Sequence, residues 1–286
     1  MDTRKDFENI LMVNKAIHYI YRALGAGYVR GFSETFYFNS NDIPRDNVIG
    51  AQYLAKKIAN HYRLPVKAVV VTFTSSLKQP AIVELSSSDE FFVELQHKYR
   101  SDTKSIAAIL AHEIAHIFLH KSNIRFPVEL DNEILTDTVA VYFGFGPTIL
   151  NAATQKKSQI SADTFETNVH HFGYLSLDEF GYILAKRDAA YGGDSSSAIK
   201  AWISASAFKS GASYLNRELQ SRPLIPRSWS QSFLFSLSQH RHSSPMVTKS
   251  IEFSCPCCSQ RLRIPETFKK LSVRCQNCES RFPCFS

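Results

Sequence analysis

His112, Glu113 and His116 stand as HExxH within AAILAHEIAHIFLHKS, residues 107–122, and His120 follows four residues on. A helix turns by about 100° per residue, so positions four apart lie on one face, one turn apart. Two imidazoles so placed can grip one zinc ion through bonds of about 2.0–2.1 Å. Glu113 is displaced around the helix, where it reaches a metal-bound water rather than the metal. Zinc lowers the pKa of such a water towards about 7, and the carboxylate takes its proton; this is hydrolytic chemistry. The competing reading is a core helix with hydrogen-bonded histidines. Burying two imidazoles and a carboxylate without metal costs on the order of several kcal/mol unless partners exist.

A third ligand is needed. His120 lies about 12 Å along the helix axis from His112, beyond the reach of one tetrahedral ion while the helix is intact. Zincins that use a third histidine of this kind turn the chain with a glycine. Here Ile117, Phe118 and Leu119 follow His116, so His120 is read as a helix-end residue or as one that supports a ligand from behind. The better candidate is Glu133 in NEILTD, residues 132–137. Asp137, four residues on, shares its face and is placed to accept a hydrogen bond from the free ring nitrogen of a ligand histidine. Glu129 and Asp131 leave open a solvated acidic stripe, whereas Ile134, Leu135, Val139 and Val141 argue for a packed helix.

HExxH followed by Asn-Glu-x-x-Thr-Asp resembles the gluzincin, thermolysin-like metallopeptidases. Residue by residue, His112, His116 and Glu133 match the zinc ligands, Glu113 the base, and Asp137 the aspartate behind a ligand histidine. The 16 residues between His116 and Glu133, and the form HEIAHIFLH, also resemble the compact intracellular ImmA/IrrE-type proteases. The resemblance covers residues 66–146. It implies a minimal zincin fold in which an edge strand binds an extended peptide; either SSSDEFFVEL or AIVELSS supplies that edge. It also implies a His or Tyr that steadies the oxyanion. NVHHFGYLS offers His170, His171 and Tyr174 for this, of which His171 and Tyr174 are taken as candidates.

A second metal site is written at the other end. All six cysteines lie in the last 32 residues. Cys255-x-x-Cys258 and Cys275-x-x-Cys278, separated by 16 residues, form the pattern of a four-cysteine zinc ribbon, in which each knuckle turns two thiolates towards one ion. Cys257 and Cys284 are spare. Disulfides would tie elements across the fold, so this clustering points to a local structural zinc. A unit under 40 residues has too little core to fold alone, and the metal supplies the folding energy. The segment resembles small zinc ribbons, which bind nucleic acid or protein, or only stabilise. Residues 207–286 carry 12 Lys+Arg against 4 Asp+Glu, net +8, leaving 21 against 22 in the first 206 residues, net −1. The basic end permits contact with nucleic acid. A solvated basic surface accounts for the charge equally well.

The elements that must position these residues follow from periodicity. Helices are predicted over residues 7–26 and 47–64, then strands in VKAVVVTFT, AIVELSS and EFFVELQ. The HExxH helix spans residues 103–121 and a ligand helix residues 127–144. Beyond residue 146 a helix is predicted from Ser176, with Glu179 completing a capping box, and another over residues 196–219. RLRIP and LSVRC read as ribbon strands. The expected fold class is α+β: a minimal zincin-like domain at 1–146, a mostly helical extension at 147–219, a linker at 220–249 and a β zinc ribbon at 250–286. With 44% hydrophobic and 21% charged residues, the composition is that of a soluble globular protein. No secretory signal or membrane span is evident, and a cytoplasmic location is expected. The expected function is an intracellular zinc metallopeptidase acting on protein or peptide, with two zinc ions. The alternatives are a nucleic-acid-binding regulator, or a protein-interaction adaptor, in which the HExxH body is a sensor or inactive scaffold.

Overall fold

The computed structural model describes residues 7–86, 89–161, 164–221, 250–255, 261–265, 270–275 and 281–285. The fold is α+β. Two helices open the chain, α1 (Ile10–Leu24) and α2 (Ala26–Arg30), separated by Gly25 at φ +79°. Helix α3 (Asn47–His61) follows, and Asp46 caps it by accepting the N–H groups of Val48 and Ile49, each at 2.9 Å. Then come β1 (Ala68–Thr74), β2 (Ala81–Glu84) and β3 (Glu90–Gln96).

The three strands form one sheet in the order β1-β3-β2, with β1 parallel and β2 antiparallel to β3. Burial alternates along β3, with Phe91, Val93 and Leu95 inside and Glu90, Phe92 and Glu94 outside, as expected of a sheet with one covered face. Strand β3 is central, so EFFVELQ does not supply an edge. Of the two edges, β1 is occupied: the Gln52 side chain on α3 donates to the Val69 carbonyl and accepts the Val71 N–H at 2.9 Å. One amide thus occupies the place of a neighbouring strand. No described strand pairs with the outer edge of β2. AIVE is therefore the open edge, and it lies against the HExxH helix.

That helix, α4 (Thr103–Lys121), is unbroken and starts on Asp102, which accepts from Lys104 and Ser105 N–H at 3.1 Å. It is the central element, touching α3, α5, α6, β2 and β3. Nearly every position from Ser105 to Leu119 is buried, as befits a helix apolar on all sides. Helix α5 (Glu129–Ala140) packs on it. It is shorter than the predicted 127–144 at both ends. Val128 is the extended residue before its first turn, and at the other end the backbone widens into one π-helical turn, Val141–Phe145. Gly144 there has φ +110°, and a Cβ would lie 2.5 Å from the Glu34 carbonyl; a side chain has no room. Helix α6 (Gly146–Asn151) continues directly from this turn.

Residues 147–219 are not all helical. An antiparallel hairpin, β4 (Thr154–Ser161) and β5 (Thr164–His170), precedes α7 (Leu177–Tyr191). Its polar strands lack the alternation that would announce it. Helix α8 (Trp202–Ser221) begins later than predicted. The chain before it makes a short 3-10 turn at Ser196–Ala198, and Asn151 clasps the extended Ile199 that follows, donating to Ala198 O and accepting Lys200 N–H, both at 2.8 Å. The C-terminal unit is two hairpins, β6 (Ser250–Ser254) with β7 (Arg261–Pro265), and β8 (Lys270–Arg274) with β9 (Arg281–Phe285). The predicted strands RLRIP and LSVRC correspond to β7 and β8. No described helix is long and apolar enough to cross a membrane.

Helices α7 and α8 cross at two glycines. A Cβ on Gly181 would meet the Ala207 carbonyl at 2.2 Å, and one on Gly211 would meet the Tyr182 nitrogen at 2.1 Å. Backbone cannot yield as a side chain can, so Gly181→Ala is expected to destabilise the protein by about 1–3 kcal/mol through overpacking. A urea unfolding curve with a lowered midpoint and an unchanged slope checks this.

Candidate metal centre

Helices α4 and α5 face each other with matched spacings. His112 and His116 are i and i+4 on α4; Glu133, Thr136 and Asp137 are i, i+3 and i+4 on α5, and so share one face. The turn into α5 is set by Asn132, whose side chain accepts the Phe126 N–H and donates to the Phe126 carbonyl, both at 2.7 Å. This contact fixes where Glu133 enters.

The three expected ligands meet. His112 Nε2 and His116 Nε2 are 3.1 Å apart, and Glu133 Oε2 lies 3.2 Å from the first and 3.3 Å from the second. Zinc bonds of about 2.0–2.1 Å at tetrahedral angles require ligand atoms about 3.3 Å apart. The triangle has that size. Among the described residues this is the one cluster of His, Cys, Asp and Glu able to hold a metal ion. The side chains are 13, 19 and 18% exposed for His112, His116 and Glu133, so a further ligand can reach them from solvent.

The other ring nitrogens are both held. His112 Nδ1–H donates to Asp137 Oδ1 at 2.8 Å. His116 Nδ1–H donates to Thr136 Oγ1 at 3.2 Å, and that hydroxyl donates in turn to the Asn132 carbonyl at 2.7 Å. These partners assign the tautomers and leave a lone pair on each Nε2. Two imidazole lone pairs and a carboxylate oxygen therefore converge with no donor among them. Such a group requires a cation. Without metal, a proton takes the part. Burial alone would lower the His112 pKa, but hydrogen bonds to Asp137 and Glu133 outweigh it and raise it well above the ordinary value. Burial would raise Glu133, but the two imidazoles bring its carboxyl down to about 2. The donor set, its spacing and its electrostatics all fit zinc.

Asp137 is buried and does more than orient His112. Its Oδ2 accepts the backbone N–H groups of Tyr174 at 2.6 Å and Leu175 at 3.1 Å. The chain reaches it because residue 173 is glycine: φ is +96°, and a Cβ would sit 2.6 and 2.7 Å from the Asp137 oxygens. This brings Tyr174 to the site. Its ring stacks near His112, centroids 6.4 Å apart, and is more than half exposed. Burial, then the charges of Glu133, Asp137, Glu113 and Glu129, raise its pKa, so the phenol stays protonated. Glu113 is buried beside the triad. Its pKa is raised by desolvation, against the pull of His112 and His116.

Other residues lie elsewhere. His171 packs edge-on against Phe180 of α7, and its Nδ1 is buried with no hydrogen-bond partner. His170 packs on Tyr99 and Phe172. His120 is exposed in the last turn of α4, edge-on to Phe91. Cys255 and Cys275 are buried directly after β6 and β8, where each hairpin turns; Cys258 and Cys278 lie outside the described residues. Thr136 and Gly173 escape the sequence reading. Thr136 had a signal, its i+3 spacing from Glu133. Gly173 had none, since its partner is 36 residues away. No family model, curated protein or solved structure matches the chain.

Thr136→Val keeps the shape and removes the acceptor for His116. Loss of such a partner costs about tenfold or more in metal affinity. Chelator competition should show that loss with the thermal unfolding midpoint little changed.

Proposed function

We propose that the chain is a zinc-dependent metallopeptidase. The convergence of His112, His116 and Glu133 at tetrahedral spacing, with buried Glu113 alongside, carries this reading. Support also comes from the resemblance of HExxH and NExxTD to the gluzincins. His112, His116 and Glu133 would hold the ion. Zinc bound there supplies Lewis acidity, lowering the pKa of a coordinated water and polarising a carbonyl.

The remaining steps belong to the chain's own residues. A substrate in extended form adds to the open edge of β2, which lies against α4. Glu113 takes the proton of the attacking water as the oxygen–carbon bond forms. It returns that proton to the leaving nitrogen as the carbon–nitrogen bond breaks. Its raised pKa suits a group that must both accept and release a proton near neutrality. Tyr174, protonated and stacked by His112, donates to the oxyanion. In the C-terminal unit Cys255 and Cys275, with Cys258 and Cys278 by their CxxC spacing, would hold a second, structural zinc.

Glu113→Gln is expected to retain both zinc ions and to lose on the order of 10²–10⁴-fold in peptide hydrolysis. Elemental analysis of the same preparations separates the sites, with about two zinc ions in the wild type and one each in Glu133→Ala and Cys275→Ser. A wild type with one zinc, and Glu113→Gln with undiminished hydrolysis, would sink the reading.

One observation favours a second reading, a nucleic-acid-binding regulator. In the first C-terminal hairpin Arg263 faces Glu252 across the ladder and donates to it at 2.9 Å. In the second, the facing pair is Arg274 and Arg281, both exposed. Two guanidinium groups set opposite one another on exposed positions can both donate to one phosphate. Under this reading Arg274→Ala/Arg281→Ala weakens binding to labelled nucleic acid and flattens its salt dependence, whereas Arg263→Ala does so less. Binding unchanged in the double variant excludes it.

A further inference from the structure

Three consecutive backbone N–H groups leave the loop before α7, and two buried carboxylates take all of them. Tyr174 and Leu175 donate to Asp137 Oδ2. Ser176 donates to Glu179 Oε2 at 2.9 Å. Glu179 completes the capping box of α7, and the Ser176 hydroxyl accepts the Glu179 N–H. A capping box on an exposed helix would end there. This one does not, because Glu179 is 1% exposed and its outer oxygen is used. Oε1 accepts the backbone N–H of Asn9 at 2.6 Å, and Oε2 lies 3.3 Å from Asn9 Nδ2. Asn9 is the N-cap of α1, and its own side chain caps nothing. One carboxylate thus serves the N-termini of two helices, although Asn9 and Glu179 are 170 residues apart in sequence. Phe7, just before it, is buried and stacks on Tyr214 of α8 at 4.2 Å.

We propose that Glu179 is a positioning residue for the metal centre, and that through it the start of α1 and the Tyr174 loop are held as one unit. The line of contacts is continuous. Asn9 is bound to Glu179, Glu179 to Ser176, the adjoining Leu175 and Tyr174 to Asp137, and Asp137 to His112. Gly173 makes the line stiff, since its close approach to both Asp137 oxygens leaves the loop no second seat. If Glu179 lets go, Ser176 N–H loses its acceptor and the loop swings on Asp137. The buried carboxylate then loses donors that it needs, and the His112 ring loses its fixed orientation. The consequence for the molecule is that Asn9, at the start of α1, bears on a site built from α4 and α5. The metal consequence rests on the zinc reading given above; the mechanical coupling does not.

Glu179→Gln tests this in the full-length protein. A glutamine has one acceptor where three N–H donors converge, and little change in volume. Hydrogen–deuterium exchange is expected to quicken in residues 173–176 as well as at the start of α1. Zinc affinity at the centre, measured by chelator competition well below the unfolding temperature, should fall about tenfold. Asn9→Asp, which sets a second carboxylate against Glu179 without touching the loop, should produce the same two changes, and stands in should Glu179→Gln fail to fold. A residue that only docks α1 would loosen α1 alone. Faster exchange confined to residues 7–24 in both variants, with the 173–176 segment and zinc affinity unmoved, overturns the proposal. A wild type that binds no zinc at the centre overturns the zinc reading instead, and the exchange of residues 173–176 then decides the coupling by itself.

Discussion

A carboxylate withdrawn from water must find donors or neutralise, and Asp137 is 1% exposed. It finds three, the Nδ1–H of His112 and two amides of the loop before α7. Each donor draws a different part of the chain inward. His112 comes from α4, Asp137 itself from α5, and Tyr174 from a loop that would otherwise run past. The close approach excludes a side chain at residue 173, and the loop's next amide falls to Glu179. The arrangement of α4, α5 and α7 around the centre follows from satisfying this one buried charge.

The second constraint is electrostatic. Nδ1 of both His112 and His116 is committed as a donor, so both Nε2 lone pairs point at Glu133. In a partly buried place such a meeting is repulsive until a cation enters. A proton supplies one answer to this problem, and a metal ion, were one bound, would supply another. Proton and metal would compete for the same lone pairs, so metal binding there would be linked to pH. Glu113 feels the same field but donates no atom to the triangle, which separates its chemistry from ligation.

The two edges of the sheet are treated differently. Gln52 occupies β1 with both halves of its amide, and nothing described occupies β2. An unpaired edge invites association. Here it is only four residues long and carries Glu84 at its end, which limits sheet-to-sheet pairing.

How much of this was legible in the residues follows from distance along the chain. The pairing of His112 with His116, and of Glu133 with Asp137, follows from helical periodicity alone, because positions four apart must share a face. The capping box of Ser176 and Glu179, the three sheet strands and two of the four C-terminal strands are local in the same sense. His120 could be set aside from the triangle by the rise of an intact helix. What periodicity does not contain is which faces meet. That Thr136 would take the second histidine, that Gly173 would press on Asp137, that Gln52 would cover β1 and so leave β2 open, and that Glu179 would reach back to Asn9, are decided by packing between segments tens to more than a hundred residues apart. The polar hairpin of β4 and β5 lacked even a local signal. The residues by themselves determined the donors and their spacing on each helix. Only the tertiary structure decided their partners, because a buried charge is satisfied by whichever donor packing brings near, and sequence separation sets no limit on that.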